Sequence, residues 1–215
     1  MRSTRCLKGE VDMSGRGRPR EFDRHEALVK AMLLFWDKGY DGTSLSELMG
    51  VMKIKSPSLY AAFGSKEDLF LEALELYWST VGEEIWSELY KYERAQDSIQ
   101  AVLLATARIL TREDRPHGCF VTQTDLNSPL PNLRVGLKVL RCKPFEMLKN
   151  RLRLGQASRE IGEHVDCESL ANYYGVVQRG MAMVARDGSP RDALEKVAGH
   201  AMGNWGAVVP DPLAH

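Results

Sequence analysis

Arg16-Gly17-Arg18-Pro19-Arg20 sets three guanidinium groups on a stretch that Gly and Pro hold open. Such an arm suits the narrow, negative minor groove of double-stranded DNA; the competing reading is a solvated tail. Further on, Lys53, Lys55, Ser56, Pro57, Ser58 and Tyr60 lie close together. Short polar side chains let a backbone approach a bulky partner, and hydroxyls and ammonium groups can bond phosphates or base edges. No Arg or Asn stands among them, so direct base readout by this stretch is sparse. Thr43 and Ser44 open a helix, where a hydroxyl beside free N–H groups suits a phosphate or serves as a plain N-cap. Lys66 stands at a helix start, the unfavourable pole for a cation, a cost that a DNA-backbone contact would offset.

Cys119 follows Gly118 at an expected helix N-terminus, where the dipole lowers a thiol pKa. It is a sensor candidate, with a small core residue as the plainer reading. His117 and Cys119 together supply too few ligands for a metal, and no cofactor is expected. The seven Met residues outside the N-terminal stretch and its neighbours are scattered gap-fillers rather than a cofactor box. Neither G-x-S-x-G, a P-loop, a G-x-G-x-x-G after a strand nor H-E-x-x-H occurs, so the chain does not read as an enzyme.

Helical periodicity must position these groups. Ala27, Leu28, Ala31, Leu34 and Phe35 form one apolar stripe over 24–38, with Asp23 as N-cap, Glu26 completing a capping box and Gly39 as the stop. A short helix runs from Thr43 or Ser44 to about Met52. A third starts at Lys55 or Ser56, tolerates Pro57 in its first turn, turns Leu59 and Phe63 inward and ends at Gly64. Two short helices joined by a tight turn describe a helix-turn-helix. Ser65 and Asp68 then cap a long helix reaching Tyr90, and further helices are expected over 98–111, near 119, over 132–158 with a kink or split at Pro144, over 166–186 and over 189–205.

With 215 residues and 44% hydrophobic content the chain can bury a sizeable core. Its zero net charge conceals an asymmetry. Residues 1–66 carry twelve Lys and Arg against eight Asp and Glu, and 67–215 carry seventeen against twenty-one. A basic module on a neutral or acidic body fits a polyanion partner. No apolar run is long enough to cross a membrane, no signal peptide opens the chain, and four Cys without a C-x-x-C suggest a reduced, cytoplasmic protein.

In order and spacing, Gly39-Tyr40, Thr43, Leu59-Tyr60, Phe63 and Lys66-Glu67 resemble the DNA-binding region of TetR/AcrR-type transcriptional regulators over residues 16–75. Pro116-His117-Gly118-Cys119-Phe120 resembles one branch of that family. The departure is Lys53-Ile54, where the family usually has Gly followed by Val or Ile. A Lys at positive φ costs roughly 1 kcal/mol. Either the second helix ends at Gly50, or Lys53 takes the strain while reaching a phosphate.

The resemblance implies an all-α chain of about nine helices. An N-terminal arm (1–20) leads into a three-helix DNA-binding domain (21–65), followed by a larger helical body (66–215) for effector binding and dimerisation. It further implies a homodimer built on the last two helices, repression at a palindromic operator, and release by an unknown small-molecule effector. The competing readings are a helical small-molecule-binding protein with a degenerate DNA-binding module, and a thiol-based redox sensor acting through Cys119.

Overall fold

The computed structural model describes residues 22–124 and 131–209. Among them there is helix and no strand: α1 Arg24–Lys38, α2 Leu45–Met52, α3 Ser56–Phe63, α4 Lys66–Tyr77, α5 Glu83–Trp86, α6 Ala95–Leu110, α7 Phe120–Gln123, α8 Pro131–Ala157, α9 Cys167–Arg186, α10 Arg191–Gly203 and α11 Trp205–Val208.

The caps explain the boundaries. Asp23 accepts from the Glu26 N–H at 3.0 Å, but the Glu26 carboxylate turns to Lys30, so that capping box is not completed. Ser44 with Glu47 and Ser65 with Asp68 do form reciprocal boxes and start α2 and α4. The long helix expected to Tyr90 is interrupted by a π-turn at Trp78–Gly82 and closes in a 3-10 turn at Ser87–Tyr90. Ser79 and Thr80 both donate to the Leu76 carbonyl, a side-chain competition with the regular ladder. α6 starts three residues earlier than periodicity suggests. Its first N–H groups, of Ala95 and Gln96, are met by the distant Glu160 carboxylate at 2.7 and 3.3 Å.

Pro144 does not split α8. A proline cannot donate to the carbonyl four residues before it, here that of Leu140; the next carbonyl, of Arg141, accepts from the Arg179 guanidinium. Between α2 and α3 the chain resolves the Lys53 alternative. Lys53 adopts φ 56°, ψ 40°, and its N–H and that of Ile54 reach back to the Gly50 and Met49 carbonyls. Lys53 therefore carries the strained left-handed cap, and Gly50 stays within the helix.

α1 packs along α4, α8 along α9, and α6 against α9 and α10. A chain of edge-on aromatic contacts joins α1 to α4 and α7: Phe35–Phe70 at 4.8 Å, Trp36–Tyr77 at 4.8 Å, Phe70–Phe120 at 5.3 Å and Tyr77–Phe120 at 5.7 Å. Each such pair adds roughly 0.5–1.5 kcal/mol beyond its burial. Deeper in the body, the buried Arg151 is satisfied by Ser98 Oγ and the Tyr92 and Glu93 carbonyls.

Candidate nucleic-acid interface

The two faces of α3 have opposite fates. Leu59 and Phe63 are buried among α1 and α4, whereas Lys55, Ser56, Pro57, Tyr60 and Ala61 are exposed and Ser58 is half-buried. The first turn of α3 has no side-chain cap. Lys53 is exposed in the preceding turn, and among the described residues no ion pair engages Lys53 or Lys55.

A helix of eight residues is too short to hold its own angle. Arg24, at the start of α1, holds it. Its Nη2 donates to the Ala62 carbonyl at 3.0 Å and to both Glu72 oxygens, and its guanidinium lies 4.4 Å from the Phe63 ring centre. Sequence reasoning missed this clamp. The available signal was a cation at a helix N-terminus, the same anomaly noted for Lys66.

The structure revises two of the expected contacts. Thr43 is fully buried and its hydroxyl donates to the Gly39 carbonyl at 2.7 Å, so Thr43 braces the α1–α2 turn and Ser44 is the N-cap of α2. Ser44 is exposed, but its hydroxyl donates to Glu47 at 2.8 Å. The Lys38 ammonium donates to the same carboxylate at 2.6 Å. That bond, aided by Ser44, holds the Glu47 carboxyl down at about 2. Lys66 is drawn inward. Its ammonium donates to the Tyr40 carbonyl at 2.6 Å and is half-buried against the Tyr40 ring, and this burial lowers its pKa. A cation at the start of α4 is thus accounted for by a carbonyl of the same unit. Arg16, Arg18 and Arg20 lie outside the described residues.

Cys119 is the N-terminal flanking residue of α7 and half-buried. It lies beside the fully buried Tyr77, whose pKa is pushed well up by burial first and by the nearby Cys119 second. Both line a tight cavity of about 30 Å³, with Trp78, Trp86, Thr122, Pro144 and Gln178 among its other walls. That volume suits a water or two. Trp78 also walls two larger grooves outside, of about 620 and 290 Å³, beside Val139 and Lys143. Leu140 lines both the cavity and the smaller groove, and the Trp78 indole stands between the cavity and both grooves. The π-turn places it there, and Gly82 leaves room for it: a Cβ at that position would come within 3.3 Å of the ring. Among the described residues no group of three or more His, Cys, Asp or Glu could hold a metal, and no helix is long and apolar enough to cross a membrane.

A family model described as "Bacterial regulatory proteins, tetR family" matches residues 27–73, spanning α1, α2, α3 and most of α4. The chain is 35% identical over 210 residues to the HTH-type transcriptional repressor ComR of Escherichia coli (strain K12), covering 96% of this chain and 98% of that protein. It is 36% identical over 107 residues to the HTH-type transcriptional repressor BdcR of the same strain, covering 50% of this chain and 54% of BdcR. Among solved structures, a cysteine-substituted form of the TetR family transcriptional regulator CifR, complexed with a 26-bp double-strand operator DNA, superposes with a TM-score of 0.82 at 37% identity. That match covers 87% of this chain and all of the CifR chain.

Proposed function

This chain belongs to the tetR family of bacterial regulatory proteins, and on that premise we propose that it is a DNA-binding transcriptional repressor. It acts as a homodimer on a palindromic operator and is released by a small-molecule effector. The observation that carries the DNA reading is the exposed outer face of α3 beside the uncommitted Lys53 and Lys55, on a helix anchored by Leu59, Phe63 and Arg24. In this reading Lys55, Ser56, Pro57 and Ser58 approach base edges, and Lys53, Ser44 and Tyr60 bond phosphates. The arm with Arg16, Arg18 and Arg20 enters the minor groove. Residues 21–65 form the DNA-binding domain and 66–215 the body.

The dimer reading is supported by the outer surfaces of α9 and α10, where Val176, Met183 and Val197 are exposed and a Cβ on Gly180 or Gly199 would meet nothing. A repressor of this kind works in the cytoplasm. The effector reading rests on the cavity behind Trp78 together with the two larger grooves that Trp78 also walls, which a turned indole would join into one site. Cys119 in its wall keeps thiol chemistry as a second route to release. A gel shift on the DNA upstream of the protein's own gene, at moderate salt with a scrambled competitor, tests the central claim. Sequence-specific retardation supports it. Retardation that the scrambled competitor abolishes would instead indicate a small-molecule-binding protein with a degenerate module.

A further inference from the structure

Two of the elements that wall the cavity also grip the DNA-binding domain. Cys119 and Thr122 line it from the α7 side, and Gln178 and Arg179 from α9. The residue after Thr122, Gln123, donates from Nε2 to the Trp36 carbonyl at 2.9 Å. Two turns beyond Gln178, at the end of α9, Arg186 donates to the Asp37 carbonyl and stands 3.8 Å from the Asp37 carboxylate. Trp36 and Asp37 belong to the last turn of α1, whose carbonyls have no partner within the helix and carry the negative pole of its dipole.

The Gly39 and Tyr40 carbonyls just beyond are closed by Thr43 and by Lys66, the first residue of α4. Four side chains thus hold this corner, and two of them, Gln123 and Arg186, come from the body beyond α4. The body's two are mechanically joined: a Cβ on Gly118, just before α7, would lie 2.8 Å from Arg186 Cβ and 2.9 Å from the Ala182 carbonyl. From the other side, Arg141 donates to the Val121, Thr122 and Thr124 carbonyls and so clasps the end of α7.

The joint is incompletely satisfied. Among the described residues, buried Gln123 Oε1 and Trp36 Nε1 have no partner. A leftover acceptor and a leftover donor, on two residues that already touch, favour a joint with more than one arrangement.

We propose that Gln123 and Arg186 are positioning residues for the DNA-binding domain, and that a guest in the cavity reaches that domain through their bonds to the Trp36 and Asp37 carbonyls. The inference rests on the cavity being the effector site. Its test needs no effector: hydrogen exchange by mass spectrometry on the full chain, with α6 peptides as the internal control for global unfolding and operator binding as a second readout. Gln123→Glu keeps the shape, removes the donor and sets a carboxylate against the carbonyl. Arg186→Met keeps the stem and removes the guanidinium. Thr122→Phe fills the cavity in place of a guest, and Gly82→Ala is the milder wedge should that variant not fold.

Each tether variant is expected to speed exchange in residues 36–43 by about tenfold while α6 stays protected. The wedge is expected to do the same, and wedge combined with Gln123→Glu no more than either alone. Unchanged exchange in the tether variants, or wedge and tether effects that multiply, would overturn the inference. If the wedge loosens residues 36–43 through Gln123 yet leaves operator binding intact, the joint stands and the effector reading of the cavity fails.

Discussion

The Lys66 ammonium donates to the Tyr40 carbonyl at 2.6 Å and lies 4.2 Å from the centre of the Tyr40 ring. Tyr40 in turn packs edge-on against Phe70 at 5.2 Å. One lysine therefore closes the α1–α2 turn, fixes an aromatic ring and satisfies the carbonyl where the chain leaves α1.

Lys66→Ala is accordingly expected to lower stability by about 1–3 kcal/mol, the range for a half-buried charged hydrogen bond with a cation–π contact. The slope of log operator affinity against log salt is expected to stay as in the parent, because no phosphate contact is lost. Denaturant melts and gel shifts at several salt concentrations check both. A slope smaller by about one would return Lys66 to the DNA backbone.

Lys53 separates strain from contact. Lys53→Gly removes the cost of a left-handed lysine, roughly 1 kcal/mol, but adds freedom to the unfolded chain, so its stability is expected to change by less than about 1 kcal/mol. Lys53→Ala keeps the strained φ and is expected to be no more stable than the parent. Both are expected to bind operator more weakly, with a salt slope reduced by about one. Parent-like binding by both would make Lys53 a turn residue alone.

How much of this was legible in the sequence follows from how far each cause lies along the chain. Asp23, Ser44 and Ser65 as caps, Pro57 in a first turn, the Gly39 and Gly64 stops, and the inward pair Leu59 and Phe63 depend on neighbours within four residues. Pattern reasoning reaches that distance. The start of α6 depends on Glu160, the setting of α3 on Arg24, and the grip on α1 on Gln123 and Arg186. Each of these pairs polar groups far apart in sequence, and nothing in local periodicity marks them. The carbonyl partners of Thr43 and Lys66 lie across a turn or a helix packing, beyond the reach of local pattern, so in the sequence each reads as a free polar group beside a basic face.

The first turn of α2 is expected to be acid-sensitive within a defined window. Glu47 titrates at about 2 in the folded chain, held down first by Lys38 and then by Ser44, against an ordinary value of 4.5. A carboxyl depressed by folding stabilises the folded state above its unfolded pKa, and that contribution fades as pH falls towards the folded value. Melting temperatures measured from pH 5 down to pH 2 are expected to fall more in the parent than in Glu47→Gln, which has no carboxylate to protonate. Parallel curves for the two proteins would refute the Lys38–Glu47–Ser44 arrangement as the source.

Arg24→Met tests whether α3 owes its setting to a residue that cannot itself reach a base. The ion pair with Glu72 is half-exposed, so its loss is expected to cost no more than about 1 kcal/mol. Operator affinity is expected to fall for every DNA sequence while the salt slope stays constant, because a reoriented helix loses fit without losing a charge contact at phosphate. A lower slope would mean that Arg24 contacts the backbone directly.

Cys119→Ser isolates the thiol from the fold. Cys119 flanks the N-terminus of α7 in an extended conformation, φ −107°, ψ 121°, and has no capping bond from its side chain. Serine is a better N-cap than cysteine and still offers an oxygen to the Tyr77 hydroxyl, so the variant is expected to match the parent in stability within about 1 kcal/mol. It is expected to bind operator equally well, since the residue touches the cavity and not α3. That equality makes the oxidation test decisive. Under hydrogen peroxide at fixed protein concentration, release of operator by the parent alone would assign sensing to this thiol. Equal retention by both would leave Cys119 as a wall of the cavity, with its guest acting by shape.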